Sequence, residues 1–122
     1  MYKIVAFWGC ESNPHADADT ANNGGGYYQP SGGVSARLED GRDVIVEYDD
    51  LSCGDFGTRI RVKIDAGDLI WYICYGSMDD AMCRTEEETD ACLASVSGCL
   101  GIDAWALLED VEYLVNQAAY YC

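Results

Sequence analysis

Near residue 78 the apolar residues change their spacing, and that change limits what each half of the chain can fold into. Before it, Thr58 to Asp65 alternates strictly, with Ile60, Val62 and Ile64 on one side and Arg59, Arg61 and Lys63 on the other. A period of two belongs to a strand with one buried and one wetted face. After it, Ala104, Leu107, Leu108, Val111, Leu114, Val115 and Ala118 recur at three and four residues, the spacing of one helix face. Strands followed by helices point to an α+β domain.

The first half supplies the remaining strands. Tyr2 to Trp8 is apolar on both faces, which predicts a central strand. Val34 to Leu38 and Val44 to Tyr48 flank Asp40-Gly41, a pair that accepts positive φ and closes tight hairpins. Ala66-Gly67-Asp68 turns the chain into Leu69 to Tyr75, an aromatic and β-branched run that predicts a buried strand beside its predecessor. About five antiparallel strands are expected. Residues 9–33 interrupt them with Asn13-Pro14, Asn22-Asn23, Gly24-Gly25-Gly26 and Ser31-Gly32-Gly33, so a long Gly-rich loop is predicted, with a short hairpin around Tyr27 and Tyr28 as the alternative.

In the second half, Thr85-Glu86-Glu87-Glu88 is a capping box and starts a helix. Cys92, Val96 and Cys99, with Leu93 and Leu100, form its apolar stripe, and Gly98 or Gly101 ends it. Asp103 then caps the second helix. So short a connection predicts an antiparallel helix hairpin packed on the sheet. Residues 1–122 are read as one domain, 1–78 mainly strands and 79–122 helical.

Twenty-two acids against seven Lys and Arg give a net charge of −15, the reverse of a nucleic-acid binder's footprint. With 49% hydrophobic residues the chain is no disordered acidic tail, and its charge favours a basic partner. Arg59, Arg61 and Lys63 share a strand face, which Lys3 and Arg37 join if their strands are neighbours. Pairing with Glu47 and Asp49 would leave that face neutral. Acid then concentrates in residues 39–50, 79–90 and 103–112, the last without a base. At 100° per residue the second helix turns Trp105, Glu109, Glu112, Tyr113 and Asn116 away from its core face. Aromatics beside charges predict a contact surface, unless the Gly-rich loop or Tyr120-Tyr121 covers Trp105 and Tyr113.

Motifs for chemistry are sparse. His15, Asp17 and Asp19 are weak candidates for a divalent metal, but a calcium loop would need an oxygen ligand at Ala21 and a glutamate at Tyr28. Seven cysteines form no Cys-x-x-Cys pair and follow no export signal, so they read as free thiols packed like small hydrophobes. A Cys10–His15 pair is interrupted by Pro14 and lacks a third member. Gly24-Gly25-Gly26 lacks the Lys-Ser/Thr of a phosphate loop. The acid pairs Asp49-Asp50 and Asp79-Asp80 read as solvated carboxylates rather than an acid–base couple. No catalytic residue and no cofactor is expected. The apolar run after Lys3 is too short for a membrane span, which leads to a cytoplasmic expectation.

In size, acidity, cysteine tolerance and lack of a catalytic motif, the chain resembles the small acidic proteins by which phages and mobile elements block host defence, anti-CRISPR proteins and other DNA mimics among them. The likeness is one of composition over the whole chain. It implies a CRISPR effector complex or another basic nucleic-acid-binding protein of a bacterial host as partner, with no direct nucleic-acid or membrane contact. The candidate contact residues are Asp49, Asp50, Asp79, Asp80, Glu86, Glu87, Glu88, Asp90, Trp105, Glu109, Glu112 and Tyr113. Two other readings stay open. One is a small-molecule or metal-dependent enzyme with the 10–33 loop as a lid and Cys10, His15, Asp17 or Asp19 at its edge. The other is an adaptor that binds through Trp105 and Tyr113.

Overall fold

The computed structural model describes residues 1–11, 30–52, 57–77 and 84–121. Strands β1 (Tyr2–Glu11), β2 (Pro30–Leu38), β3 (Asp43–Asp50), β4 (Ile60–Asp65) and β5 (Ile70–Tyr75) form one antiparallel sheet in chain order. Helices α1 (Glu86–Leu100) and α2 (Ala104–Tyr121) pack on one face of it, which makes the fold α+β.

The core follows from strand register. Val34 lies opposite Val46 and Val46 opposite Ile64, while Tyr48 lies opposite Val62 and Val62 opposite Ile73. Each cross-strand row therefore presents its apolar members to the helices. Leu93, Val96 and Leu100 of α1 and Leu107, Val111 and Val115 of α2 close over them. The predicted alternation of β4 and the stripe of α2 both appear in the burial pattern, Leu114 and Ala118 being half-buried.

Both edges of the sheet depart from expectation. β1 is an edge strand, not a central one, with Val5, Phe7 and Trp8 all about 40% exposed. Its apolar residues divide between two neighbours instead. Tyr2, Ile4 and Phe7 share the helix side, and Trp8 folds onto Gly33 on the other. A Cβ at Gly33 would stand 2.7 Å from Trp8 Cζ2 and 2.4 Å from the Val46 carbonyl oxygen, so only glycine leaves room for the ring. An apolar run records burial on two faces and says nothing of how many strands lie beside it. β5 is likewise an edge strand rather than a buried one, since only Ile73 is fully buried while Ile70 and Tyr72 are exposed.

The predicted 9–33 loop loses both its ends to strands, because β1 runs to Glu11 and β2 starts at Pro30. The rest of it, with the hairpin suggested at Tyr27 and Tyr28, lies outside the described residues.

Thr85 caps α1 as its sequence requires, and Gly101 ends it in the left-handed region with φ 67°. Thr89, Leu93, Val96 and Leu100 define the buried face, and Cys92 packs half-buried against the core beside them, whereas Cys99 is exposed rather than part of the stripe. One residue of helix is ~100° of rotation, which carries Cys99 off the face that Leu100 occupies. Asp103 caps α2, its Oδ1 accepting from the Ala106 amide at 3.2 Å. The expected antiparallel hairpin is replaced by a bend of 105° between the helix axes. Ile102, in the link, is itself buried in the core, and each helix seeks its own part of the sheet, α1 over β5 and α2 over β1 and β2.

Candidate functional site

Charge is divided between the two sides of the molecule. On the sheet, Arg61 pairs with Asp49 at 3.2 Å and Lys63 with Glu47 at 3.9 Å, as cross-strand neighbours on the uncovered face. Arg37, opposite Lys3 on β1, pairs with Asp43 at 2.8 Å, and Arg42 holds Asp40 at the β2–β3 turn. The expected neutral sheet face is present. Residues 84–121 are different, for they carry eight acids and a single base, Arg84.

The capping box determines how the first acids stand. Thr85 Oγ1 accepts from the Glu88 amide at 3.1 Å, and Glu88 Oε1 accepts from the Thr85 amide at 3.2 Å. Hydrogen bonds from the Thr85 amide, and after it the Thr85 hydroxyl, hold the Glu88 carboxyl below the usual range. Glu88 is thus committed to the cap, while Glu86 and Glu87 project from the first turn. Their charge is favoured there by the positive end of the helix dipole. Asp90, one position past the buried Thr89, accepts from the Trp105 indole N–H at 3.1 Å. That bond ties α1 to α2 across the 105° bend and spends the single donor of Trp105, which stays 39% exposed.

Along α2 the outward residues are those the helical spacing predicts. Glu109, Glu112 and Tyr113 are exposed, Tyr113 by 65%. Toward the end of β3, α2 meets a second group of polar residues. Asn116 donates to the Glu112 carbonyl at 2.7 Å and hydrogen-bonds the hydroxyl of the buried Tyr48. Partial burial, then the charges of Asp50 and Glu109, raise the Glu112 carboxyl above its ordinary pKa. Burial, and secondarily the charge of Glu112, also disfavours ionisation of the Tyr48 and Tyr75 hydroxyls.

The structure sorts the sequence-predicted residues. It joins Asp90 to Trp105 and brings Asp50 within the field of Glu112 and Glu109. It separates Asp49 from Asp50, since successive strand residues point to opposite faces and Asp49 is taken up by Arg61. Asp79, Asp80, His15, Asp17 and Asp19 lie outside the described residues. Among the described residues, no three of His, Cys, Asp and Glu gather as metal ligands, and no single helix is long and apolar enough to cross a membrane.

Sequence reasoning passed over Tyr2, whose hydroxyl donates to Asp110 Oδ2 and fastens the start of β1 to α2. The signal was present in part, because Asp110 stands ~100° from Val111, on the flank of the helix rather than its outer face. The grouping of Tyr48, Tyr75 and Asn116 had none, being made by elements far apart in the chain. No family model, curated protein or solved structure matches this chain.

Proposed function

We propose that the protein is a binding inhibitor whose acidic helical surface occupies a basic surface that otherwise holds nucleic acid. The mode is that of the DNA-mimicking proteins which phages and mobile elements direct against CRISPR effector complexes and other defences. The observation that carries this reading is the segregation of charge, with strand cations neutralised by strand acids and residues 84–121 left with eight acids against one base.

Two physical points support it. Residues three and four apart on a helix stand ~5–6 Å apart at Cβ, so Glu86 with Asp90 and Glu109 with Glu112 form short lines of negative charge. A duplex offers a Lys- and Arg-lined groove one charge per ~1.7 Å of axis, and carboxylates on a rigid scaffold compete for the same cations. Rigidity comes from the capping box, the Asp103 cap and the Trp105–Asp90 bond, which limit the entropy lost on binding. Trp105 and Tyr113 add aromatic anchors beside the acids.

The test is a pull-down from bacterial lysate with the purified protein, washed at low and high salt and followed by mass spectrometry. The expected catch is a basic nucleic-acid-handling complex that is lost at high salt, competed by DNA, and abolished by Glu86→Gln, Glu87→Gln and Glu88→Gln together. Salt is decisive because the Debye length falls from ~10 Å at 0.1 M to ~3 Å at 1 M. Capture that survives high salt and the triple substitution but fails in Tyr113→Ala would replace mimicry with adaptor binding through the aromatics.

A further inference from the structure

The helices cover one face of the sheet, and among the described residues nothing packs on the other. Its apolar side chains are open: Trp8 is 43% exposed, Ile45 42%, Ile70 45% and Tyr72 62%. Strand register sets these beside the ion pairs in an ordered way. Trp8, Gly33, Glu47, Lys63 and Tyr72 form a single row across all five strands. Because the Trp8 ring lies over Gly33, the row reads from β2 to β5 as aromatic, acid, base, aromatic. The adjacent row repeats the middle of the pattern with Asp49 on β3 and Arg61 on β4.

That order is self-complementary. A two-fold axis parallel to the strands and passing between β3 and β4 would lay β3 of one copy over β4 of the other, and β2 over β5. Glu47 then faces the second copy's Lys63, Asp49 its Arg61, and the Trp8 ring its Tyr72, each contact made twice as an isologous interface requires. We infer that this face binds a second copy of the chain, sheet against sheet, in a four-layer dimer with the helices outside.

Three further features fit a second copy. Glu47, Asp49, Arg61, Lys63 and Tyr72 line a shallow depression of about 330 Å³, which the two-fold sets against its own counterpart, leaving room between the sheets for the charged side chains of both copies. Stacked sheets lie ~10 Å apart, which puts the two acidic helix layers on the order of 30 Å from one another, several Debye lengths at physiological salt. Mutual repulsion of the −15 charges is thereby weakened where the copies touch. Four strands at ~4.8 Å spacing and six residues at ~3.3 Å rise give a flat footprint of about 400 Å² per copy, below the ~800 Å² of a standard interface. The dimer is therefore reversible and dependent on concentration.

Sedimentation velocity from micromolar to millimolar protein tests this, alongside far-UV circular dichroism as a check on folding. The wild-type chain should move from 13.4 kDa toward twice that mass as concentration rises. Tyr72→Lys, at an exposed position, should weaken the dimer by about tenfold or more, as loss of an aromatic interface anchor does. The double variant Glu47→Lys/Lys63→Glu keeps the pair within each copy and should still self-associate. Mixed with wild type it should form few hybrid dimers by native mass spectrometry, because like charges then face each other. A wild-type monomer at millimolar concentration, an undiminished Tyr72→Lys dimer, or hybrids at the statistical proportion would each overturn the inference. The mixing arm needs no variant that removes packing, so it stands even if Tyr72→Lys fails to fold.

Discussion

Replacing Thr85 by alanine isolates one half of the capping box from the other. The substitution removes the hydroxyl that accepts from the Glu88 amide at 3.1 Å and leaves the Glu88 carboxylate free to accept from residue 85 at 3.2 Å. It also leaves the Thr89 hydroxyl its bond to the backbone oxygen of residue 85 at 2.9 Å. Loss of an N-cap side chain costs about 1 kcal/mol. An unfolding entropy of ~2.1 cal/mol/K per residue over about 122 residues makes ~0.26 kcal/mol/K, so the melting temperature should fall by about 4 °C. Thermal unfolding followed by circular dichroism reads this directly, with Thr85→Ser as the control that restores the acceptor. Acid adds a second check on the Glu88 half. Its carboxyl is held below the usual range, so its contribution is complete at neutral pH and is lost as pH falls through that lowered value. The Thr85 hydroxyl also helps to lower that value, so the Thr85→Ala deficit should shrink in acid to the part owed to the Glu88 amide bond. An unchanged melting temperature in Thr85→Ala would mean that tertiary packing alone holds the start of α1 and that the capping argument is wrong.

Other substitutions probe the core, the β1–β2 contact and the acidic surface. Val111→Ala, at a residue with no exposure, removes two methyl groups from the middle of the α2 stripe and should cost about 2–3 kcal/mol, seen as a lower denaturant midpoint at constant slope. Gly33→Ala puts a Cβ 2.4 Å from the Val46 carbonyl oxygen and displaces the Trp8 ring, so a loss of about 1–3 kcal/mol should come with an altered near-UV aromatic signal. Glu112→Gln should stabilise the protein at neutral pH. The folded state holds that carboxyl above its ordinary pKa, so wild type loses stability as pH rises from the unfolded glutamate's value through the folded one, while glutamine does not. The two proteins should melt together in acid, and a Glu112→Gln variant less stable than wild type at neutral pH would rule out a net penalty from its burial and from the repulsion of Asp50 and Glu109.

Much of the fold is legible residue by residue because the signals are local. The alternation of Ile60, Val62 and Ile64, the Asp40-Gly41 turn, the Thr85–Glu88 box and the stripe from Ala104 to Ala118 each depend on neighbours within a few positions. The outward arc of Glu109, Glu112 and Tyr113 follows from the same periodicity, as does the cation row of β4. The errors share one cause. Composition reports how apolar a segment is but not which neighbours satisfy it, so β1 and β5 read as interior when they are edges. A short link reads as an antiparallel turn, although burial of Ile102 and the sheet beneath set the angle between the helices.

For the candidate site the division is similar. Helical and strand periods, with the count of acids and bases, determined from the sequence alone that the helices are acidic and that the cations share a strand face. Strand order, and with it the row from Trp8 to Tyr72, was decided by tertiary pairing, as were the Trp105–Asp90 bond and the parting of Asp49 from Asp50. The physical reason is range. Local backbone geometry repeats every two or 3.6 residues and leaves its mark in spacing, whereas contacts between distant segments are chosen by the free energy of the whole packed core.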